Sequence, residues 1–139
     1  MPFETVGQLT ESQIADLTRL YQNEWWTAGR PLDEVREMLA ATDEVIGLVS
    51  DEGRLVGFCR VLTDYVFRGT LYDVIVDPEF RGRGLGRQLL EAVAAHPRLA
   101  RLEKLYLACK PEMADFYALE SFRPLGGELV WMKRGFRAP

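Results

Sequence analysis

The sequence predicts an α/β fold, a mixed and mostly antiparallel central sheet flanked by helices. The length of 139 residues suits one domain, and no repeat or linker divides it, so residues 1–139 are expected to form a single domain. Early strand-like runs are joined by a short turn, which makes them antiparallel, whereas strand, helix and strand around Gly84 need a crossover and a parallel pair. Helices on both faces would cover such a sheet.

The first forty residues predict one short strand and two helices. The strand covers residues 3–6. Apolar side chains such as Leu17 and Tyr21 recur at helical spacing from residue 11 to residue 25, which predicts the first helix. The second helix is expected to begin near Pro31, since proline is favoured in a first helical turn.

Three strands follow these helices. Residues 44–50 and 55–64 are apolar runs on either side of the turn 51–53, which is typical of a hairpin. Residues 71–76 predict the third strand, and Pro78 limits its continuation.

The second half of the chain alternates helices and strands. The predicted elements are a helix over residues 85–96, a strand over 104–109, a helix over 111–119 and final strand pieces around Phe122 and over 129–133.

Charge and hydropathy narrow the classes of function. The net charge of −4 weighs against general nucleic-acid binding, which selects a basic surface. No apolar run approaches the roughly 18 residues of a membrane span, and the first residues do not resemble a signal peptide. We therefore expect a cytoplasmic protein that binds neither nucleic acid nor membrane.

The cysteines and the histidine give little support to metal or thiol chemistry. Cys59 and Cys109 both lie beside strand-like sequence and are expected to be buried thiols. The one histidine, His96, is expected at a helix end, so no ligand set for a metal is predicted.

The junction between residues 76 and 87 carries the clearest chemical pattern. A buried strand enters a turn with glycine at three alternate positions, Gly82, Gly84 and Gly86, and a helix begins near Leu85. The first turn of a helix has unpaired N–H groups and the positive end of the helix dipole. Glycines allow positive φ and close approach of an anion, so the junction predicts a phosphate site.

Three arginines add positive charge to this junction: Arg81, Arg83 and Arg87. The pattern lacks the Gly-Lys-Ser/Thr of a P-loop, and its glycine spacing differs from the dinucleotide fingerprint. The alternative is a glycine-rich turn with exposed arginines, which the spacing alone does not exclude.

From Val76 to Gly86 the order Val-x-Pro-x-x-Arg-Gly-x-Gly-x-Gly resembles the acetyl-CoA signature of the Gcn5-related N-acetyltransferases (GNAT). The resemblance implies acetyl-CoA as co-substrate and an N-acetyltransferase that needs no metal. It also implies that pantetheine pairs with the backbone of Val74, Ile75 and Val76, and that the N–H of Val76 polarises the thioester. The cradle for the pyrophosphate would comprise Arg81, Gly82, Arg83, Gly84, Leu85, Gly86 and Arg87.

A downstream segment, Phe116-Tyr117, is similar to the tyrosine segment of the same family. The resemblance implies that Tyr117 donates a proton to the leaving thiolate; the alternative is that its ring only packs. Two positions depart from the family pattern: Ser121 replaces a glycine, and Lys110 replaces an asparagine that contacts the cofactor. Lys110 is expected to pair with a cofactor phosphate instead.

The acceptor side rests on weaker signals. Asp73 interrupts an apolar strand, and it either orients or deprotonates the acceptor amine or is a structural carboxylate. In the family, the first helices wall the acceptor site, which here implies Glu24, Trp25 and Trp26. One tryptophan is expected in the core, and Glu24 with Asp64 and Asp73 would favour a cationic amine.

The expected partner is a small-molecule or peptide amine that attacks acetyl-CoA directly in a ternary complex. The alternative is a non-catalytic acyl-CoA-binding or sensor module on the same fold. A homodimer is plausible if residues 129–133 expose a strand edge.

Overall fold

The computed structural model describes residues 3–137. The chain divides into two compact units, the first ending at Ala108 and the second starting at Cys109, and each is described by itself. Within the described residues, no helix is long and apolar enough to cross a membrane.

The first unit contains five strands and three helices. In chain order they are β1 (Phe3–Val6), α1 (Glu11–Tyr21), α2 (Leu32–Ala40), β2 (Glu44–Ser50), β3 (Leu55–Thr63), β4 (Arg68–Val76), α3 (Leu85–Ala95) and β5 (Lys104–Tyr106). A 3₁₀ turn at Pro78–Phe80 lies between β4 and α3.

The five strands form one sheet in the order β1-β2-β3-β4-β5. The first four pair antiparallel, and β4 pairs with β5 in parallel, as the crossover through α3 requires. The predicted fold class, a mixed and mostly antiparallel sheet flanked by helices, is confirmed.

The core joins α1 and α2 to the sheet. Leu17, Leu20 and Tyr21 of α1 pack with Val35 of α2 and with Phe58 of β3. Helix α3 packs against β2, β3 and β4 through a different set of buried side chains, Leu85, Leu89, Leu90 and Val93. Leu17 and Tyr21 of the predicted pattern are thus on the buried face of α1, whereas Trp25 lies beyond the end of this helix and is exposed.

Helix α1 starts as its sequence dictates but ends earlier than predicted. Thr10 and Gln13 form a reciprocal capping box at its start. It ends at Tyr21 rather than at residue 25, because the buried Thr27 hydroxyl donates to the Tyr21 carbonyl and the chain turns through a loop. Both tryptophans therefore lie in the α1–α2 loop.

The second unit contains a 3₁₀ turn at Pro111–Met113 and the short helix α4 (Ala114–Ala118). The predicted strands around Phe122 and over residues 129–133 are wrong for the described part of the chain, which has no strand after β5. Their side chains suit a strand, but a strand also needs a backbone partner, and Val130 is 80% exposed. The strand edge on which the predicted homodimer depended is thus missing.

Candidate functional site

Strand β4 extends well beyond its pairing with the short strand β5. Their parallel pairing covers only Arg68, Gly69 and Thr70 of β4, although β4 continues to Val76. On its other side β4 stays paired with β3, where Ile75 faces Phe58 and Val76 faces Gly57. Val74, Ile75 and Val76 therefore lie in the part of β4 beyond its pairing with β5.

A bulge in β4 lies at the start of this part of the strand. Phe58 pairs with Ile75 and Arg60 pairs with Tyr72, so Asp73 and Val74 together oppose Cys59. Asp73 has a φ of 57°, which is unusual for a residue other than glycine. The extra residue turns the Asp73 side chain toward α1 and the α1–α2 loop.

The glycine junction adopts the backbone that its sequence predicts. Gly82 has a φ of 79°, and Gly84 has a φ of 78° and caps the N-terminus of α3. A Cβ added at either glycine would meet nothing within 4 Å, so the space beside both is open. The first turn of α3 has no side-chain cap, and its N–H groups at Leu85, Gly86 and Arg87 begin the helix at this open space.

The three arginines of the junction differ in their contacts. Arg81 donates from Nε to the Val76 carbonyl at 3.2 Å. Arg83 lies over the ring of Phe80 at 5.0 Å, and Arg87 is only 4.0 Å from Glu91 on the surface of α3. Arg83 and Arg87 are therefore exposed near the N-terminus of α3, whereas Arg81 links the junction to the end of β4.

The turn before the glycines is fixed by a buried aspartate that the sequence did not single out. Asp77 is buried, accepts from the Glu79 N–H and forms a 2.7 Å ion pair with Arg54. Arg54 also pairs with Glu79 at 3.0 Å. An aspartate directly before Pro78 is the signal that would have identified this capped turn.

Asp73 receives hydrogen bonds from four side chains. Tyr21 Oη at 2.9 Å, Arg30 Nη1 at 3.0 Å and Arg60 Nε at 2.8 Å all donate to Oδ2, and Trp26 Nε1 donates to Oδ1 at 3.3 Å. Burial raises the pKa of this carboxyl, but the hydrogen bond and charge of Arg60 and the charge of Arg30 outweigh it, so its pKa lies below the ordinary value. These contacts favour the structural alternative for Asp73.

The hydroxyl of Tyr21 remains a proton donor in this cluster. Burial raises its pKa, and the neighbouring Asp73 carboxylate raises it further. Tyr21, Arg30 and Arg60 were not predicted from the sequence as members of the site. Arg60 had a readable signal, because it interrupts an apolar strand just as Asp73 does.

The predicted acceptor residues Glu24, Trp25 and Trp26 lie in the α1–α2 loop beside this cluster. Their burial and their contacts differ from the prediction. Trp25 is 71% exposed and Trp26 is 39% exposed, so the expectation that one of them packs in the core is wrong. Their rings contact edge to face at 5.7 Å. Glu24 forms a 2.9 Å ion pair with Arg81 of the glycine junction.

The Asp64 side chain accepts hydrogen bonds from the backbone of its own loop. Its Oδ1 accepts from the N–H groups of Val66, Phe67 and Arg68. These backbone hydrogen bonds lower its pKa. Since Glu24 pairs with Arg81 and Asp73 with two arginines, the predicted acidic trio does not form a negative site.

In the second unit, Tyr117 lies in α4 between two aromatic rings, with its ring edge to face against Phe116 at 5.0 Å and Phe122 at 6.1 Å. Lys110 precedes the 3₁₀ turn of this unit. Ser121, which replaces the family's glycine, has a φ of 68°. The roles expected of Tyr117 and Lys110 stay predictions.

The cysteines differ in exposure. Cys59 is buried, and burial raises the pKa of its thiol to about 12. Cys109 is exposed, so the expectation of two buried thiols is wrong for it. Among residues 3–137, no group of three or more His, Cys, Asp and Glu side chains is arranged to hold a metal ion.

Residues 12–126 match the model of the acetyltransferase (GNAT) family. An uncharacterised N-acetyltransferase, ycf52, from Porphyra purpurea is 31% identical over 107 residues, which cover 75% of this chain and 61% of that protein. Serotonin N-acetyltransferase 2 from rice is 37% identical over 73 residues, which cover 52% of this chain and 36% of that protein. The chain thus spans less than two thirds of the curated relatives' length.

Solved structures share the fold. A GNAT-family protein from Xanthomonas campestris superposes with a TM-score of 0.82 at 32% identity, covering 96% of this chain and 93% of that one. Glucosamine-6-phosphate N-acetyltransferase from Arabidopsis thaliana gives a TM-score of 0.77 at 19% identity, covering 99% and 100% of the two chains. An aminoglycoside N-acetyltransferase in complex with CoA gives 0.70 at 19% identity, covering 96% and 95%.

Proposed function

Because this chain belongs to the acetyltransferase (GNAT) family, we propose that it transfers the acetyl group of acetyl-CoA to an amine by direct attack in a ternary complex. The observation that carries the proposal is the junction from Val76 to Gly86. It combines the end of β4 beyond its pairing with β5, two glycines at positive φ with open space beside them, and an α3 N-terminus that has no side-chain cap.

The junction suits a pyrophosphate for physical reasons. The N–H groups of the first turn of α3 and the positive end of the helix dipole favour an anion at this place. Gly82 and Gly84 leave room for phosphate oxygens to approach the backbone. Arg83 and Arg87 would add charge at the rim, where they are exposed.

The part of β4 beyond its pairing with β5 suits the remainder of acetyl-CoA. An extended pantetheine would pair with the backbone of Val74, Ile75 and Val76 as an added strand does. The N–H of Val76 would then stabilise the oxyanion that forms on the thioester carbonyl. Arg81, held between the Val76 carbonyl and Glu24, would fix the end of this strand.

Asp73 is assigned a positioning role rather than that of a general base. Its carboxylate already accepts four hydrogen bonds, and its lowered pKa makes it a weak base near neutral pH. Its contacts instead hold the α1–α2 loop, with Trp25 and Trp26, beside the bulge of β4.

The experiment for the proposal measures binding and turnover separately. Calorimetry with acetyl-CoA tests the donor site, and release of the CoA thiol across a panel of primary amines tests transfer. Binding together with thiol release above the rate without enzyme supports the acetyltransferase. If acetyl-CoA binds and no amine is ever acetylated, the chain is an acyl-CoA-binding or sensor module. If acetyl-CoA does not bind, the proposal is wrong.

Tyr117 is proposed as the acid that protonates the leaving thiolate, a role that rests on the family resemblance. Tyr117→Phe should lower kcat about 100-fold or more and leave the affinity for acetyl-CoA unchanged, because only proton transfer is lost. An unchanged kcat would refute this role. The contact of Lys110 with a cofactor phosphate and a cytoplasmic location stay predictions.

A further inference from the structure

We propose that the amine acceptor carries an anionic group, a carboxylate or a phosphate, which Arg30 and Arg60 attract beside Asp73. This inference rests on the proposed acetyl transfer and names the class of its acceptor. The carrying observation is that two guanidinium groups share one carboxylate at the bulge of β4.

The charges of this cluster do not balance. Arg30 and Arg60 contribute two positive charges, and Asp73, the acid with which both pair, contributes one negative charge. The Tyr21 hydroxyl in the same cluster stays neutral, because burial and Asp73 raise its pKa. Among these four groups one positive charge is in excess, and they lie in partly buried surroundings where charge interactions are less screened than in water.

The two other acids predicted beside Asp73 are engaged elsewhere. Glu24 lies in the same loop as Arg30 but pairs with Arg81 at 2.9 Å. Asp64 binds three backbone N–H groups of its own loop. A cationic amine, which Glu24, Asp64 and Asp73 predicted from the sequence, would meet a local excess of positive charge at this place.

The two arginines are accessible to different degrees. The side chain of Arg30 is 34% exposed and that of Arg60 is 12% exposed. Each lies over a tyrosine ring, Arg30 over Tyr21 at 4.8 Å and Arg60 over Tyr72 at 5.0 Å, which holds the guanidinium plane in place. Arg30 uses Nη1 for Asp73, and a guanidinium has further N–H groups with which to bind a carboxylate or phosphate.

Exposed aromatic rings surround the same place. Trp25, Trp26 and Tyr72 are all partly open to solvent. They offer an apolar wall for the carbon skeleton of an acceptor, while the arginines select its charged end. The arrangement fits an amine that combines an apolar part with an anionic group.

Matched pairs of amines test the inference, because the members of each pair differ mainly in the anionic group. Tryptophan against tryptamine tests a carboxylate, whereas glucosamine 6-phosphate against glucosamine and phosphoethanolamine against ethanolamine test a phosphate. The measured quantity is kcat/KM from released CoA thiol at low ionic strength. In at least one pair the anionic member should be preferred about ten-fold or more, since a charged hydrogen bond contributes at that level.

The variant Arg30→Gln separates recognition from folding. It should lower kcat/KM about ten-fold for the preferred anionic amine and less than about two-fold for its uncharged partner, because only the first uses the guanidinium. Arg36→Gln is the matched control: Arg36 is a partly exposed arginine in α2 that pairs with Glu11 and Asp33, and its removal should leave the preference unchanged.

The outcomes distinguish this inference from the proposed function. If the uncharged members are acetylated equally well or better, the chain is an acetyltransferase but the anionic acceptor is wrong. If Arg30→Gln lowers kcat/KM equally for both members of a pair, the arginine is structural and the inference is again overturned. If no amine is acetylated at all, the proposed function itself fails.

Discussion

The guanidinium of Arg81 lies 2.9 Å from the carboxylate of Glu24, although the two residues are 57 positions apart in the chain. The sequence placed Arg81 in the cofactor cradle and Glu24 in the acceptor wall. The ion pair connects these two predicted parts, because Arg81 also donates to the Val76 carbonyl at the end of β4. Glu24 is therefore paired with the glycine junction through Arg81.

A first prediction concerns this connection. Glu24→Gln should raise the KM for acetyl-CoA about two- to five-fold, the range expected for a partly exposed ion pair, and should change the KM for the amine much less. Steady-state kinetics with each substrate varied in turn measures both constants. Glu91→Gln, which removes the long Arg87 pair on α3, is the control and should change neither constant. A rise confined to the KM for the amine would return Glu24 to the acceptor site.

A second prediction concerns Gly84, which has a φ of 78° and open space beside it. A side chain there should affect stability through the first property and acetyl-CoA binding through the second. Gly84→Ala should lower the free energy of unfolding by about 1–2 kcal/mol, because a Cβ strains the left-handed backbone. Gly84→Asn should lower it less, since asparagine tolerates this region. Both side chains should weaken acetyl-CoA binding, because they enter the space proposed for the pyrophosphate. Urea unfolding and calorimetry measure the two effects.

The β2–β3 turn supplies a matched control. Gly53 has a φ of 83°, and a Cβ there also meets nothing within 4 Å. Gly53→Ala should therefore cost similar stability and leave acetyl-CoA binding intact. If Gly84→Asn binds acetyl-CoA as well as the unmodified protein does, the phosphate lies elsewhere.

The glycine junction and the cluster around Asp73 differ in how far the sequence predicts them. The glycine junction was readable because Gly82 and Gly84 need a backbone that few residues adopt, so the motif and the geometry have the same cause. The cluster around Asp73 was not readable, because Tyr21 and Arg60 reach it only after α1 and β3 have packed. Periodicity identified Tyr21 as a core residue but carried no information about the partner of its hydroxyl.

The predictions for the end of α1 and for the last strands were wrong for related reasons. Trp25 continues the apolar spacing of α1, but the Thr27 hydroxyl and the loop after Tyr21 end the helix. Residues 129–133 have strand-like side chains, yet no strand forms there in the described structure. Side-chain pattern alone does not reveal which backbone groups find partners.

A third prediction concerns Ser121, which has a φ of 68° three residues after the last residue of α4. Ser121→Gly should stabilise the protein by about 1 kcal/mol, because glycine adopts this conformation without the strain of a Cβ. Urea unfolding measures the gain. Ser121→Ala should give no gain, since alanine keeps the Cβ. Equal stability of the glycine and alanine variants would mean that the positive φ costs nothing.

A fourth prediction concerns Asp73 and pH. Its pKa is lowered in the folded protein, so its carboxylate stabilises the fold above the pKa of the unfolded chain, and this contribution is lost as pH falls through the folded pKa. Asp73→Asn should lower the free energy of unfolding by about 3 kcal/mol at pH 7, because it leaves Arg30 and Arg60 without their carboxylate. The difference from the unmodified protein should shrink at pH values below about 4.

The same variant tests the chemical role of Asp73. Asparagine tolerates positive φ and keeps the acceptor oxygen, so Asp73→Asn should retain kcat within about ten-fold, whereas loss of a general base costs about 100-fold or more. Asp33→Asn in α2, whose side chain is 95% exposed, is the control and should change stability by less than about 0.5 kcal/mol. A 100-fold lower kcat in folded Asp73→Asn would instead show that Asp73 is the general base. Arg30 and Arg60 would then set the pKa of the carboxylate that accepts the proton of the amine.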